Sequence, residues 1–397
     1  DAIVPLILTN HFGLDQLLSG IVMSIDNVLA LFMLPIFGAL SDKVMTRFGK
    51  RTPFILVGTV AAVLAFISLT FIDSYQLSAV LDAGIAERYQ AAAELLKEAN
   101  AALKEAGKAG DAAAIATAKD SIDYINKVVI AGIREETLQI TLGNLWPIIG
   151  FIGVLLITLI SMATFRSPAV ALMPDVTIKP LRSKGNAIIN LMGTAGGILV
   201  LVLGMIFKTS ANKYMQYTAY VVAVCTIMIT GLIISPTTVK EKKWAEEMEE
   251  QTRALGLEDA PVESNEGKRS LSKAEMKSLL LILASVALWY VGYNSITSKY
   301  SVYATNILFF DFNFTLIIAQ AAAVIAYIPV GIIASKIGRR KTILAGIIML
   351  ATAFFIGNFI TFSTPELAMY PVFILAGIGW ATINVNSFPM VVELAKG

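Results

Sequence analysis

The chain has 397 residues, 56% of them hydrophobic and 15% charged, with a mean hydropathy of +0.72. Soluble domains carry about 25% charged residues, so a water-soluble enzyme, a disordered chain and a disulfide scaffold are excluded, and an integral membrane protein remains. The 31 Lys and Arg nearly balance 29 Asp and Glu, leaving a net charge of +2 that implies no nucleic-acid or other polyanionic partner.

A membrane-crossing helix needs about 20 apolar residues. The chain opens on an apolar stub at 1–8, read as the tail of a span whose beginning is absent. Full spans are predicted at 17–40, 53–72, 142–165, 187–207, 217–234, 279–293 with a polar continuation, 314–334, 343–362 and 369–392. Three short connections are basic. The first, 41–52, holds Lys43, Arg47, Lys50 and Arg51; 175–184 holds Lys179, Arg182 and Lys184; 336–341 holds Lys336, Arg339, Arg340 and Lys341. The alternate loops 9–16 and 363–368 hold no Lys or Arg, so the basic loops are expected on the cytoplasmic side of a cell membrane. The longer stretch 237–275 falls on the same side and divides the spans into an N-terminal half, 1–236, and a C-terminal half, 276–397.

An internal repeat supports that division. A shift of 293 residues places Asp1 on Asn294, Gly38 on Gly331, Asp42 on Ser335 and Lys43 on Lys336. Two homologous halves joined by a linker are a plan of secondary transporters. On it, two further spans would follow Gly397. The first half also carries extra residues at 82–136, between spans on the non-cytoplasmic side. Ile85, Tyr89, Ala92, Leu96, Ala99 and Leu103 form one apolar stripe, and Ile115, Ala118, Ile122, Ile125 and Val129 form another. With the break at 107–110, these predict an extracellular antiparallel hairpin whose first arm is about 30 Å long. It is an inert insertion, or a lid or docking arm.

The strongest motif is Gly38, Ser41, Asp42, Lys43, Arg47, Gly49, Lys50, Arg51 and Pro53 within one short loop. Glycines permit the tight reversal, and Asp42 is placed to accept from a neighbouring helix N-terminus and pair with a loop arginine, forming a conformational latch. This motif resembles the corresponding loop of the major facilitator superfamily, in the longer form of glycoside–pentoside–hexuronide cation symporters and plant sucrose carriers. Ala171, Leu172 and Asp175, followed by Arg182, Asn186 and Ala187, are similar to another loop of those carriers.

The resemblance implies an all-α membrane protein with the major facilitator fold. Its two pseudo-symmetric six-helix halves are here truncated to about nine full spans plus a stub, with the hairpin inserted. It also implies symport of a sugar or glycoside with a cation. Melibiose-type members carry paired acids for sodium before the proline matching Pro35, whereas 30–34 holds no acid and Asp26 stands alone. Plant sucrose carriers place an Arg directly before the Ala-Leu pair; that position is Val170, and Arg166 lies a turn earlier.

A charged group inside a span marks a pathway. Asp26 lies mid-span, where burial favours a neutral carboxyl; it is a proton carrier, with Asp1 and Asp175 as alternatives, or a structural Asp bonded beside Asn27. Lys299 either pairs with Asp1 or extends to the interface. Sugars need planar hydrogen-bond partners and an aromatic face, which Asn27, Asn144, Trp146, Tyr293, Asn294, Trp380, Asn384, Asn386 and Asp1 supply. Gating falls to Gly38, Asp42, Arg47, Gly49, Arg51, Arg166, Arg182, Gly338 and Arg339. No nucleophile–base pair, phosphate loop or metal-ligand spacing appears, so neither an enzyme nor a cofactor is expected. Asn313 and Thr315 form a common glycosylation sequon. The leading expectation is a monomeric proton-coupled sugar symporter. The alternatives are a carrier of amphiphilic lipid-like or drug-like solutes, and a non-transporting sensor or scaffold.

Overall fold

A computed structural model describes residues 2–178, 181–210, 212–255, 273–308, 310–361 and 364–395. Asp1 lies outside the described residues, as do the side chains of Arg182 and its neighbours to residue 187. Among the described residues the chain is helical, with short turns.

Fourteen α-helices follow one another among the described residues. A short α1 (Val4–Asn10) precedes α2 (Gln16–Lys43) and α3 (Thr52–Asp82). The inserted arms are α4 (Ile85–Ala109), α5 (Ala112–Tyr124) and α6 (Ala131–Gly143), the last two joined by a π-helical turn at Ile125–Ile130. The bundle resumes with α7 (Trp146–Asp175), α8 (Arg182–Ile206) and α9 (Thr218–Thr238). Then come α10 (Glu241–Ala254), α11 (Lys273–Tyr303), α12 (Phe312–Ile337), α13 (Arg339–Gly357) and α14 (Met369–Ala395).

Each predicted span is a helix. Eight are long and apolar enough to cross a membrane, and in α8 the apolar part is the shorter Leu191–Ile206. Large apolar side chains such as Leu31, Ile325 and Ile328 point outward, at 70%, 74% and 76% exposure, as a surface solvated by lipid requires. Pro53 and Pro147 sit in the first turns of α3 and α7, where a missing N–H leaves no bond unmade.

The repeat shows in the packing. Helix α7 lies against α2 and α3, and α14 lies against α12 and α13 in the same manner. Glycines allow the closest crossings: a Cβ at Gly58 would press on the α7 backbone, and one at Gly377 would overlap the Ala319 carbonyl on α12. In lipid, where apolar faces gain little by associating, such close backbone packing holds helices together.

Three features stand out against expectation. Helix α3 runs ten residues beyond 72, because Asp73 and Gln76 find buried partners there and need not face water. The hairpin helix α4 passes through Gly107 and reverses only at Gly110, whose φ of +69° is cheap for glycine. The Asn313–Thr315 sequon is buried, at 2% and 0% exposure, and Asn313 donates to Thr209 Oγ1 at 3.0 Å, so it presents no acceptor for glycosylation.

Candidate functional site

The basic loop between α2 and α3 turns on Gly49, whose φ of +117° and paired backbone bonds with Thr46 (3.1 and 3.2 Å) close it tightly. The turn delivers Arg51, 6% exposed, to the last turns of α2 and α7. Its Nε donates to Asp175 Oδ2 at 2.8 Å, one terminal nitrogen donates to the Gly38 carbonyl and the Ser41 hydroxyl, and the other donates to Asp42. Burial opposes the Arg51 charge, but the carboxylates of Asp175 and Asp42 offset it and hold its pKa above the usual value. A planar guanidinium serves all four partners at once; an ammonium would not.

Asp42 therefore pairs with the loop arginine, but the helix N-terminus it was expected to cap belongs to Glu241. This first residue of α10 is 4% exposed and lies in the linker. Its carboxylate accepts from the backbone of Lys50 (2.6 Å), Arg51 (2.9 Å) and Thr52 (2.8 Å), and from the Thr52 hydroxyl (2.7 Å). Those are the orphan donors at the start of α3, where a negative charge is favoured. A Cβ at Gly49 would overlap this carboxylate. Nearby, Arg47 lies over the Phe48 ring at 4.6 Å, and a Cβ at Gly38 would come within 2.9 Å of Ser167 Oγ. Arg166 is exposed, Arg182 begins α8, and Gly338, φ +90°, turns the chain into Arg339 at the start of α13.

Midway along the bundle, Asn294 Nδ2 on α11 donates to Asn27 Oδ1 on α2 at 3.5 Å, joining the two groups of helices. Tyr293 stacks on Trp289 (centroids 6.1 Å apart) and meets Trp380 on α14 at 6.4 Å. The Trp289 indole N–H is buried without a partner among the described residues. Tyr327 on α12 interacts with both Asn384 on α14 and Thr194 on α8. Asp26, half-buried beside Asn27, makes no hydrogen bond or ion pair among the described residues.

Other candidates lie apart. Asn144 and Trp146 mark the start of α7, with Trp146 53% exposed against Tyr75. Asn386 is buried and donates to Thr382 of its own helix at 2.8 Å. Asp175 belongs to the Arg51 cluster. Lys299 donates to Ser19 at the start of α2, and its expected pairing with Asp1 lies outside the described residues. Trp289, Tyr327 and Thr194 escaped sequence reasoning, although aromatic and hydroxyl groups within apolar runs were the available signal.

Among the described residues, bonds that join the two groups of helices include Asn27–Asn294 midway, Tyr327–Thr194, and, toward the hairpin end, Ser19–Lys299, Thr209–Asn313, and Ser210 with Asp311 at 2.9 Å. A lipid-facing bundle in two repeated groups, polar along its central seam, defines a multi-pass membrane carrier. The chain belongs to the major facilitator superfamily: residues 137–397 match the Major Facilitator Superfamily, and residues 2–80 match the family described as MFS/sugar transport protein. No curated protein matches the chain. This membership makes it a secondary transporter of a small molecule.

Proposed function

We propose that the protein is a proton-coupled symporter of a sugar or glycoside, of the glycoside–pentoside–hexuronide and sucrose carrier type, working by alternating access in a cell membrane. Residues 1–236 and 276–397 are the halves that rock, 237–275 is the cytoplasmic linker, the basic loops face the cytoplasm and the hairpin faces outward. The observation that carries this reading is the Asn27–Asn294 amide pair across the seam, beside the Trp289–Tyr293–Trp380 aromatic row with its unpaired indole donor. Amides satisfy sugar hydroxyls, and aromatic faces cover the C–H side of a ring. The bonds Ser19–Lys299, Thr209–Asn313 and Ser210–Asp311 tie the hairpin end, and in this scheme the substrate path opens toward the basic end.

Asp26 is the proton carrier in this scheme. An ionised carboxylate mid-span costs about 2.5–3.5 kcal/mol on insertion scales, and among the described residues Asp26 has no ion-pair partner to offset that cost. Protonation and sugar binding at adjacent residues are then linked. The test uses proteoliposomes in weak buffer, screened over disaccharides for substrate-induced alkalinisation. Asp26→Asn should retain exchange between sugar-loaded faces and lose accumulation driven by a pH gradient. Full accumulation by that variant would exclude Asp26, and no alkalinisation with any sugar would exclude the symporter.

A further inference from the structure

The hairpin has no part in the transport scheme above, yet it roofs a chamber. Its two arms close over the end of the bundle and leave a cavity of about 450 Å³, within the range of small-molecule sites. The floor is the end of α1 and the start of α2, one side is the loop between α8 and α9, and the far wall is the end of α11 with the π-helical turn Ala304–Leu308 after it.

The lining is asymmetric in charge. Arg134 on α6 and Lys213 in the α8–α9 loop are the charged side chains on the wall, and both are cationic. Among the described carboxylates, Asp73 is bonded to His11 at 2.6 Å, Glu136 to Arg88 at 2.5 Å and Asp15 to the Leu18 amide at 2.6 Å, while Asp311 and Glu366 line a neighbouring cavity that Lys213 also borders. Lys213 is 9% exposed, donates to the Tyr89 hydroxyl and lies 4.3 Å over that ring. Burial pushes its ammonium down to about 7, a cost that an adjacent anion would offset. On the same lining, Thr9 is 6% exposed and its hydroxyl has no partner among the described residues. A buried hydroxyl left unbonded costs about 1–3 kcal/mol. Leu96 and Ile133 from the hairpin, Val302 from α11 and Ile307 from the π-helical turn Ala304–Leu308 after it form an apolar part of the wall, and Asn10, Gln16, Asn126 and Thr137 add neutral polar groups.

We infer that this chamber is a second binding site, separate from the central seam, for a small organic anion whose carboxylate meets Lys213, Arg134 and Thr9 and whose apolar body meets the hairpin and α11. Its walls come from the N-terminal helices, the hairpin and α11 together. A bound anion therefore favours the arrangement in which this end is closed, by as much as it prefers that arrangement.

The test is binding to the full chain in nanodiscs at fixed ionic strength. Sodium phenylacetate is the probe and phenylacetamide its uncharged isostere, read by thermal shift and calorimetry. Phenylacetate should bind saturably and raise the unfolding temperature, with phenylacetamide at least tenfold weaker. Arg134→Gln, on the exposed rim, should weaken phenylacetate about tenfold without changing the unliganded unfolding temperature, and Thr9→Val should weaken it severalfold. Equal binding of acid and amide, or undiminished binding by Arg134→Gln and Lys213→Met, would overturn the site.

Discussion

His11 Nδ1 and Asp73 Oδ1 lie 2.6 Å apart in the interior of the hairpin end, with the two side chains 0% and 1% exposed. The opposite ring nitrogen meets the Lys213 carbonyl at 3.0 Å. A carbonyl only accepts, and so does an ionised carboxylate, so beside an ionised Asp73 the ring donates from both nitrogens. The pair ties the turn after α1 to α3 and to the α8–α9 loop. Gln76 adds bonds to the His11 carbonyl at 3.0 Å and to Thr141 of the hairpin at 2.9 Å.

Breaking that pair should be costly. Asp73→Ala strands His11 in an apolar interior and is expected to lower unfolding stability by about 3–5 kcal/mol. Asp73→Asn keeps an accepting oxygen and should lose less. Denaturant unfolding of the purified protein in detergent measures both, and an unchanged midpoint for Asp73→Ala would contradict the role.

At the basic end, Arg51 holds two carboxylates, a hydroxyl and a carbonyl. Arg51→Lys cannot span them and should reduce transport tenfold or more. Asp42→Asn leaves the Asp175 bond intact and should reduce it only severalfold. Uptake normalised to membrane protein level gives the comparison, and an inverted order would argue against Arg51 as the centre of the cluster.

Gly49 faces Glu241 in a backbone conformation disfavoured for other residues. Gly49→Ala adds about 1–3 kcal/mol of backbone strain and a collision with the carboxylate. It should release α10, read as faster trypsin cleavage at Lys242 and Lys243. Glu241→Gln turns a donor toward the α3 amides and should accelerate cleavage as well. Resistance equal to the wild type in both would remove the capping role.

Lys213 gives the stability a pH dependence. Burial holds its folded-state pKa at about 7, well below its ordinary value, so the unfolded chain binds more protons above that point. Stability should therefore rise from about pH 7 toward pH 10. Tyr89 and Tyr214, which face Lys213, have their own pKa values pushed up by burial and stay neutral through the window. The other titratable and charged groups around Lys213 are Arg134 across the cavity, the His11–Asp73 pair behind the Lys213 carbonyl, and Lys208, Asp311 and Glu366 on the neighbouring cavity. Unfolding temperatures at pH 7, 8 and 9 should climb by several degrees, and Lys213→Met should flatten the climb.

The spans were legible because twenty apolar residues in a row have few alternatives, and the hairpin was legible because two stripes met at a glycine. What escaped was polar structure satisfied at long range. Asp73 and Gln76 read as the end of a span until His11 and Thr141, distant in sequence, supply their bonds. Asp42 and Arg51 sit in one motif and were found together. Glu241 is one of several acids in a charged linker, and its sole local signal was its place at the start of an amphipathic helix. The aromatic row was partly seen: Tyr293 and Trp380 stood out by position, whereas Trp289, and Tyr327 outside the row, resembled ordinary lipid-facing residues.

The hairpin tip also has a practical consequence. At Gly107 and Gly110 an added side chain would touch nothing within 4 Å, and α4 follows α3 after only residues 83 and 84. A rigid fusion partner inserted between Gly110 and Asp111 would ride on a helical arm clear of the bundle. Electron microscopy of a membrane protein of 42.7 kDa suffers from featureless, detergent-masked particles. Such a fusion would supply the asymmetric landmark that particle alignment needs.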